Sequence, residues 1–318
     1  MKVRIDDEIT FRKLEIFSAF MKLGNLSRTS EMLEVSAVSV HRALHSLEEG
    51  LRCQLFRHEG RNLAPTPAAF LLEETAREVL DRMVRGVSAT RAAAGFASDQ
   101  FRLGSIYSLT TRVVPQVIME IKLRRPELQL DLVLGSNADL LGKLRTSQVD
   151  AVLVGLPKLS NELQTIPLFE DEVYFALPAG DPRGLREEID LREFSEASFV
   201  ALSEGFATSE SFTEIFRLAG YAPNLVTRVG DIFTLMNLVA GGVGYTLLPG
   251  RVREVVGDRV QLVPLAEPYR LRQTISLTFL RVRERDPNIL ALAAVCRGGG
   301  KAWSPSFNIP VPELSGGR

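Results

Sequence analysis

All three histidines of the chain, His41, His45 and His58, fall in one short segment. Around them stand side chains suited to gripping a polyanion. Ser36, Ser39 and Arg42 are spaced to sit near the N-terminal end of one helix. Hydroxyls there can bond phosphates or base edges, and a guanidinium suits guanine or phosphate. Ala37, Val40 and His41 share that stretch, Arg28 and Thr29 precede it, and Arg57, His58 and Arg61 follow on an expected hairpin. A helix, a tight turn and a second helix across residues 27–49 would lay the second helix in the major groove of double-stranded DNA. The hairpin would then act as a wing against backbone or minor groove. The same pattern also describes a small helical interaction module whose charges are simply solvated.

Enzymatic chemistry finds little support. No histidine follows His58, so a Ser-His-Asp triad cannot form in the C-terminal part. Gly242-Val243-Gly244 lacks the third glycine of a dinucleotide loop and precedes an expected strand rather than a helix. No phosphate-loop Gly-Lys-Ser/Thr occurs. Cys53 with His58 is too little for a zinc site, so neither metal nor cofactor is expected. Cys53 reads as a core residue, and Cys296 is the only cysteine in the C-terminal part, where a thiol switch would want two.

The elements that must position these residues come in two styles. Residues 10–23 form an amphipathic helix ended by Gly24-Asn25, and Ser27 to Leu33 a second, shorter one. Ser36 caps a third helix that Gly50 ends, and a strand pair follows across 54–63 with its turn at Glu59-Gly60. With Thr66 as cap and Pro67 in its first turn, a long helix carries the stripe Leu72, Ala76, Val79, Met83 and Val87. So narrow a stripe on so long a helix is expected to pair with a second copy. Residues 95–100 read as a hinge. From Phe101 strands and helices alternate: strand 101–106, helix 113–122, strand 129–134, helix 138–145, strand 151–154. That order implies a parallel α/β sheet. A second set follows, with strands at 172–176, 199–201, 225–229 and 245–248 and helices at 209–218 and 232–239. Strand 275–280 and helix 289–296 close the chain. Ala179-Gly180-Asp181-Pro182 looks like the crossing between two α/β halves, and a cleft between halves favours small ligands. The glycine- and proline-rich end, 298–318, reads as a mobile extension, although Trp303, Phe307 and Ile309 could dock.

The 318 residues, 45% apolar and 24% charged, suit about two folded domains. A net charge of −1 excludes a chain devoted wholly to coating nucleic acid and leaves room for local DNA binding. No apolar run is long enough for a membrane span, and the acidic start, Asp6-Asp7-Glu8, does not suit a signal peptide. A cytoplasmic protein with reduced thiols is expected.

The run from Val35 to Leu44, followed by Leu47-Glu48-Glu49, Leu55-Phe56 and Arg61, resembles the N-terminal domain of LysR-type transcriptional regulators. Pro65-Thr66-Pro67-Ala68-Ala69 resembles that family's step into its linker helix. Ser136-Asn137, Gln148 to Val152 and Val239 to Gly244 recur at matching places in its C-terminal domain. The resemblance covers about residues 8–297. Ala37 stands where the family often has Gln, and His41 where it often has Ser, so the operator is not carried over. His41, Leu44-His45-Ser46 and Glu49-Gly50 look most like the subgroup that regulates malonate use.

The resemblance implies an α/β protein with an N-terminal all-α winged helix-turn-helix and a two-lobed, periplasmic-binding-protein-like effector domain. The expected divisions are a DNA-binding domain at 1–66, a linker and hinge at 67–98, and an effector domain at 99–297. Within the last, lobe 1 takes about 99–176 and 270–297, and lobe 2 about 177–269. A small metabolite, expected to be a carboxylate, would sit between the lobes at strand ends and helix N-termini, where free amides and dipoles favour anions. Ser108, Thr110, Thr111 and Arg112 follow the first strand, and Ser136 and Asn137 the second. Ser203, Phe206 and Thr208 follow one strand of the second lobe, and Phe233 another. The implied partners are an interrupted palindromic DNA site, a small effector, RNA polymerase and further copies of the chain as dimer or tetramer. Two alternatives are a ligand-independent regulator of the same fold and an α/β enzyme with an appended interaction domain.

Overall fold

A computed structural model describes residues 5–303, apart from 60, 61, 97 and 159. The chain divides into two units, Met1–Ser88 and Ala89–Arg318. The N-terminal unit holds α1 (Phe11–Leu23), α2 (Leu26–Met32), α3 (Ala37–Leu51), β1 (Phe56–Glu59), β2 (Asn62–Pro65) and the start of α4 (Pro67–Ala93). Polar caps set the helix starts: the side chains of Thr10, Asn25 and Ser36 accept backbone N–H groups of Lys13, Arg28 and Ser39. Gly24, at φ +63°, closes α1 by donating its N–H to Phe20 O. Phe17 and Phe20 of α1 pack with Val40, Leu44 and Leu47 of α3, and Phe56 meets both aromatic rings at centroid distances of 5.9 and 5.1 Å.

Gly50 does not end α3, which runs on to Leu51 and closes with Arg52 at φ +52°. The glycine serves packing instead: a Cβ at 50 would stand 3.1 Å from Glu8 Cβ and 3.3 Å from Ile9 Cγ1. The hairpin register runs from Phe56 opposite Pro65 to Glu59 opposite Asn62, so β1 begins two residues later than the composition suggests. At α4, Thr66 Oγ1 accepts from Ala69 N at 3.4 Å. The apolar stripe of α4 divides. Leu72, Ala76 and Leu80 pack on the N-terminal core, whereas Val79, Met83, Val84 and Val87 are exposed.

The C-terminal unit begins with β3 (Gln100–Ser105), α5 (Val113–Arg124), β4 (Gln129–Leu134), α6 (Asn137–Arg145) and β5 (Ala151–Gly155). β3 pairs in parallel with β4 and β5, as the strand–helix alternation requires. β6 (Leu163–Pro178) then runs antiparallel beside the returning β11 (Arg272–Leu280), which also pairs antiparallel with β5. The sheet is therefore mixed, not purely parallel. β6 starts well before the expected Glu172 and is itself the crossing. Its first half pairs with β11 in lobe 1, and its second half with β9 (Thr246–Pro249) and β10 (Val260–Pro264) in lobe 2. The Ala179–Pro182 turn lies beyond the far end of β6, inside lobe 2, so the crossing expected there is misplaced. The β6–β11 register shifts next to Pro167, which has no N–H to give the ladder.

Lobe 2 also contains β7 (Ser198–Leu202), α7 (Ala207–Ala219), β8 (Asn224–Val229), α8 (Ile232–Ala240) and the short α9 (Arg253–Val256). One apolar core fills lobe 1 and two lie in lobe 2.

The chain ends, among the described residues, in α10 (Pro287–Trp303). The mobile extension expected from Gly298 is thus helix as far as Trp303; residues 304–318, with Phe307 and Ile309, lie outside the described residues. Trp303 is buried against the lobe 1 core, and its indole N–H donates to Gln116 Oε1 on α5. Gly299 makes this possible, because a Cβ there would lie 2.2 Å from the indole ring. Replacing Trp303 by Ala is expected to cost about 3 kcal/mol of stability, read by denaturant unfolding of the full chain. An unchanged midpoint would mean that the helix end is not docked in solution.

Candidate nucleic-acid interface and anion crevice

On the N-terminal unit, Ser36, Ala37, Ser39, His41 and Arg42 of α3 and its cap are exposed, with Arg28 on α2 and Arg57 and His58 on β1. Ser36 Oγ and Ser39 Oγ bond each other at 2.8 Å. Two of the expected contacts are core residues instead. Thr29 is fully buried and its hydroxyl donates to Asn25 O, while Val40 is fully buried against α1. Arg61 lies outside the described residues. Val38, 67% exposed beside Ala37, is a surface apolar group the sequence reading passed over. A methyl-bearing side chain at the head of a recognition helix can meet a thymine methyl. The turn before α3 places Glu34 at φ +54°, an uncommon conformation for a non-glycine residue. Glu48 Oε1 accepts from the backbone N–H groups of Leu55 and Phe56 at 2.8 and 3.0 Å, and so ties the hairpin to α3. Cys53 is exposed, not core.

In the C-terminal unit a narrow crevice opens between the lobes. Ser108, Asn137, Phe206 and Thr208 line it, together with Ile232 and Arg251. These residues come from the turn after β3, the head of α6, the head of α7, the head of α8 and the turn after β9. Asn137 donates through Nδ2 to Gly155 O at 3.2 Å. α6 and α8 are capped by Ser136 and Asp231, but α7 has no capping side chain among the described residues. The amides of Ala207 and Thr208 have no partner among the described residues, and both residues face the crevice.

The other expected ligand contacts are engaged elsewhere. Thr110 donates to Tyr107 O, Ser136 caps α6, and Ser203 donates to Val229 O. Thr111 is exposed, Arg112 pairs with Glu254 at 3.4 Å, and Phe233 packs on a lobe 2 core. None of these six lines the crevice.

Arg251 was invisible as a site residue in sequence, because nothing in its neighbourhood marks one arginine among many. Its side chain is 6% exposed. Nη1 donates to Asp171 Oδ2 at 2.9 Å and to Gln273 Oε1 at 3.1 Å, and Nε donates to Ser108 Oγ at 2.8 Å. Nη2 has no partner among the described residues. Asp171, fully buried on β6, also accepts the Arg251 backbone N–H. Burial pushes the Asp171 carboxyl up, and the Arg251 guanidinium pulls it back. Burial pushes the guanidinium itself down, against the pull of Asp171. One side chain thus joins lobe 1, lobe 2 and both crossing strands. Further ties span the lobes, among them Arg112 to Glu254, Gln273 Nε2 to Ser211 Oγ at 2.9 Å, and Ala138 N to Gly205 O at 3.1 Å. Gly205 sits at φ +90°, which only glycine adopts without strain.

Residues 11–70 match the family model of the bacterial regulatory helix-turn-helix protein, lysR family, and residues 94–301 that of the LysR substrate binding domain. The chain belongs to the LysR family of transcriptional regulators. It is 48% identical to the malonate utilization transcriptional regulator of Klebsiella pneumoniae, over 97% of this chain and 100% of that protein. It is 28% identical to a probable hydrogen peroxide-inducible genes activator of Mycobacterium leprae, over 90% of this chain and 93% of that one. Its fold is shared with full-length CbnR complexed with its target DNA (TM-score 0.64, 17% identity, covering 91% of this chain and 99% of that one). A Corynebacterium glutamicum OxyR cysteine mutant shares it too (TM-score 0.60, 21% identity, 95% and 93%). The chain is a DNA-binding transcription regulator with a substrate-binding domain, not an enzyme. No helix among the described residues is long and apolar enough to cross a membrane.

Arg42→Ala is expected to weaken binding to DNA fragments selected by the wild-type protein about tenfold, in gel-shift titrations at fixed salt. Thr29→Ala and Val40→Ala are expected to lower the thermal midpoint instead. Wild-type affinity in Arg42→Ala would misplace the recognition surface.

Proposed function

We propose that the protein is a malonate-responsive regulator and that the crevice around Arg251 binds the acid. The observation that carries this is a buried guanidinium whose Nη2 has no partner among the described residues, lining the same crevice as a helix head that none of them caps. A carboxylate there would accept from Nη2, from the Ala207 and Thr208 amides and from the Thr208 hydroxyl, each an interaction with a charged or dipolar donor. The kinship to a malonate utilization regulator supports malonate as the first acid to try.

Because Arg251 already joins both lobes, an acid on Nη2 favours the closed arrangement over an open one. Only such a difference in affinity lets a ligand shift the balance. The exposed residues Val79, Met83, Val84 and Val87 supply a seam on which two α4 helices pair, setting two recognition helices at a fixed spacing on an interrupted palindrome. Lobe closure would then alter how dimers are set within a tetramer, and so how DNA is bent. Contact with RNA polymerase and a cytoplasmic location belong to the same proposal.

The test is thermal unfolding of the full chain with malonate, other small dicarboxylates and aromatic acids. Malonate at about 100 times its dissociation constant should add roughly 2.7 kcal/mol to stability. Ser108→Ala and Thr208→Val should each reduce that shift while leaving DNA binding intact. A full shift in both variants would remove the crevice as the site. A shift with another acid alone would keep the sensor and discard malonate.

A further inference from the structure

Charge and hydrogen-bond counting in the crevice narrow the ligand further, resting on the reading of it as an acid site. Arg251 is the charged residue of the lining, and Asp171, paired with it, balances its charge. Tyr107 is the other titratable side chain of the lining. Around the rim, Asp231 accepts from Thr234 at the head of α8, Asp139 of α6 pairs with Lys143, and Glu254 pairs with Arg112. Net positive potential comes only from the heads of α6, α7 and α8, each equivalent to roughly half a charge. Two bare carboxylates in so narrow a space would leave one without a partner, and burying an unpaired carboxylate is strongly unfavourable.

The second observation is Asn137. One N–H of its Nδ2 donates to Gly155 O at 3.2 Å, which orients the amide with Oδ1 away from that carbonyl. Its Oδ1 is buried and has no hydrogen-bond partner among the described residues. A carbonyl oxygen accepts and never donates, so it calls for an O–H or N–H from whatever fills the crevice. A carboxylate placed there would add repulsion to the missing bond.

We propose that the crevice takes its acid as a monoanion bearing a hydrogen-bond donor at its other end, with the carboxylate on Arg251 and the head of α7 and the donor on Asn137 Oδ1. For malonate the bound species is then hydrogen malonate, and the dianion takes one proton from solvent as it binds. An acid amide presents the same two ends without needing the proton.

Calorimetric titration of the full chain with malonate, malonamic acid and monomethyl malonate, at about pH 6 and about pH 8 in buffers of different ionisation heat, tests this. Malonamate should bind equally at both pH values. Malonate affinity should fall about tenfold per pH unit above its second ionisation, with one proton taken up. The monomethyl ester, which lacks a donor, should bind about tenfold more weakly than malonamate. Asn137→Ala should bring malonamate down to the level of the ester. Malonate binding that is alike at both pH values, or an ester as tight as the amide, overturns the proposal. Proton uptake with malonamate overturns it too, since the proton would then sit on the protein, at Asp171. If none of the three acids binds, the reading of the crevice as a small-acid site falls first.

Discussion

The buried ion pair between Arg251 and Asp171 is the interaction on which the ligand-binding half depends. Asp171 lies on the strand that carries the chain from lobe 1 to lobe 2, and Gln273 on the strand that brings it back. Arg251 holds both and reaches across to Ser108. A pair so buried is weak evidence for added stability, because removing two charges from water consumes most of their attraction. What it secures is position. The guanidinium stays charged and aimed because Asp171 fixes one edge and Ser108 another, leaving Nη2 without a partner among the described residues, where the proposed acid would bind. Breaking the pair by removing one partner would cost about 3–5 kcal/mol, so the proposed site and the strand crossing depend on the same contact.

The DNA-binding half rests on a different constraint. A recognition helix is useful only if its outward face is independent of what its inward face must do. In α3 Val40, Ala43, Leu44 and Leu47 are spent on the core, which frees Ala37, Val38, His41 and Arg42 for solvent. Glu48 completes the arrangement by holding the hairpin through two backbone N–H groups. Thr29 and Val40 are adjacent in sequence to exposed residues, yet a turn of helix points each of them inward.

Much of this was legible beforehand. The caps at Ser36 and Thr66, the stop at Gly24 and the alternation of strands and helices follow from local rules, and most elements lie within a few residues of where those rules put them. Two of the misses share a cause. Gly50, read as a helix stop, is a packing glycine for Glu8 and Ile9, and Gly299 is one for Trp303. A glycine looks the same in sequence whether it frees the backbone or admits a neighbour. The long β6 was half hidden because its first part runs through Pro167 and pairs with β11, a strand distant in the chain.

The sequence by itself determined the elements, the domain order and the class of chemistry, because caps, periodicity and the shortage of histidines are local or compositional properties. The tertiary structure decided which polar side chains of the loops are still available. Thr110, Ser136 and Ser203 have the right chemistry for an anion but spend their hydrogen bonds at home, whereas Thr208 and Arg251 line the crevice with donors to spare. That distinction cannot be local. It is fixed by which groups, distant in the chain, arrive beside one another when β6 and β11 cross between the lobes.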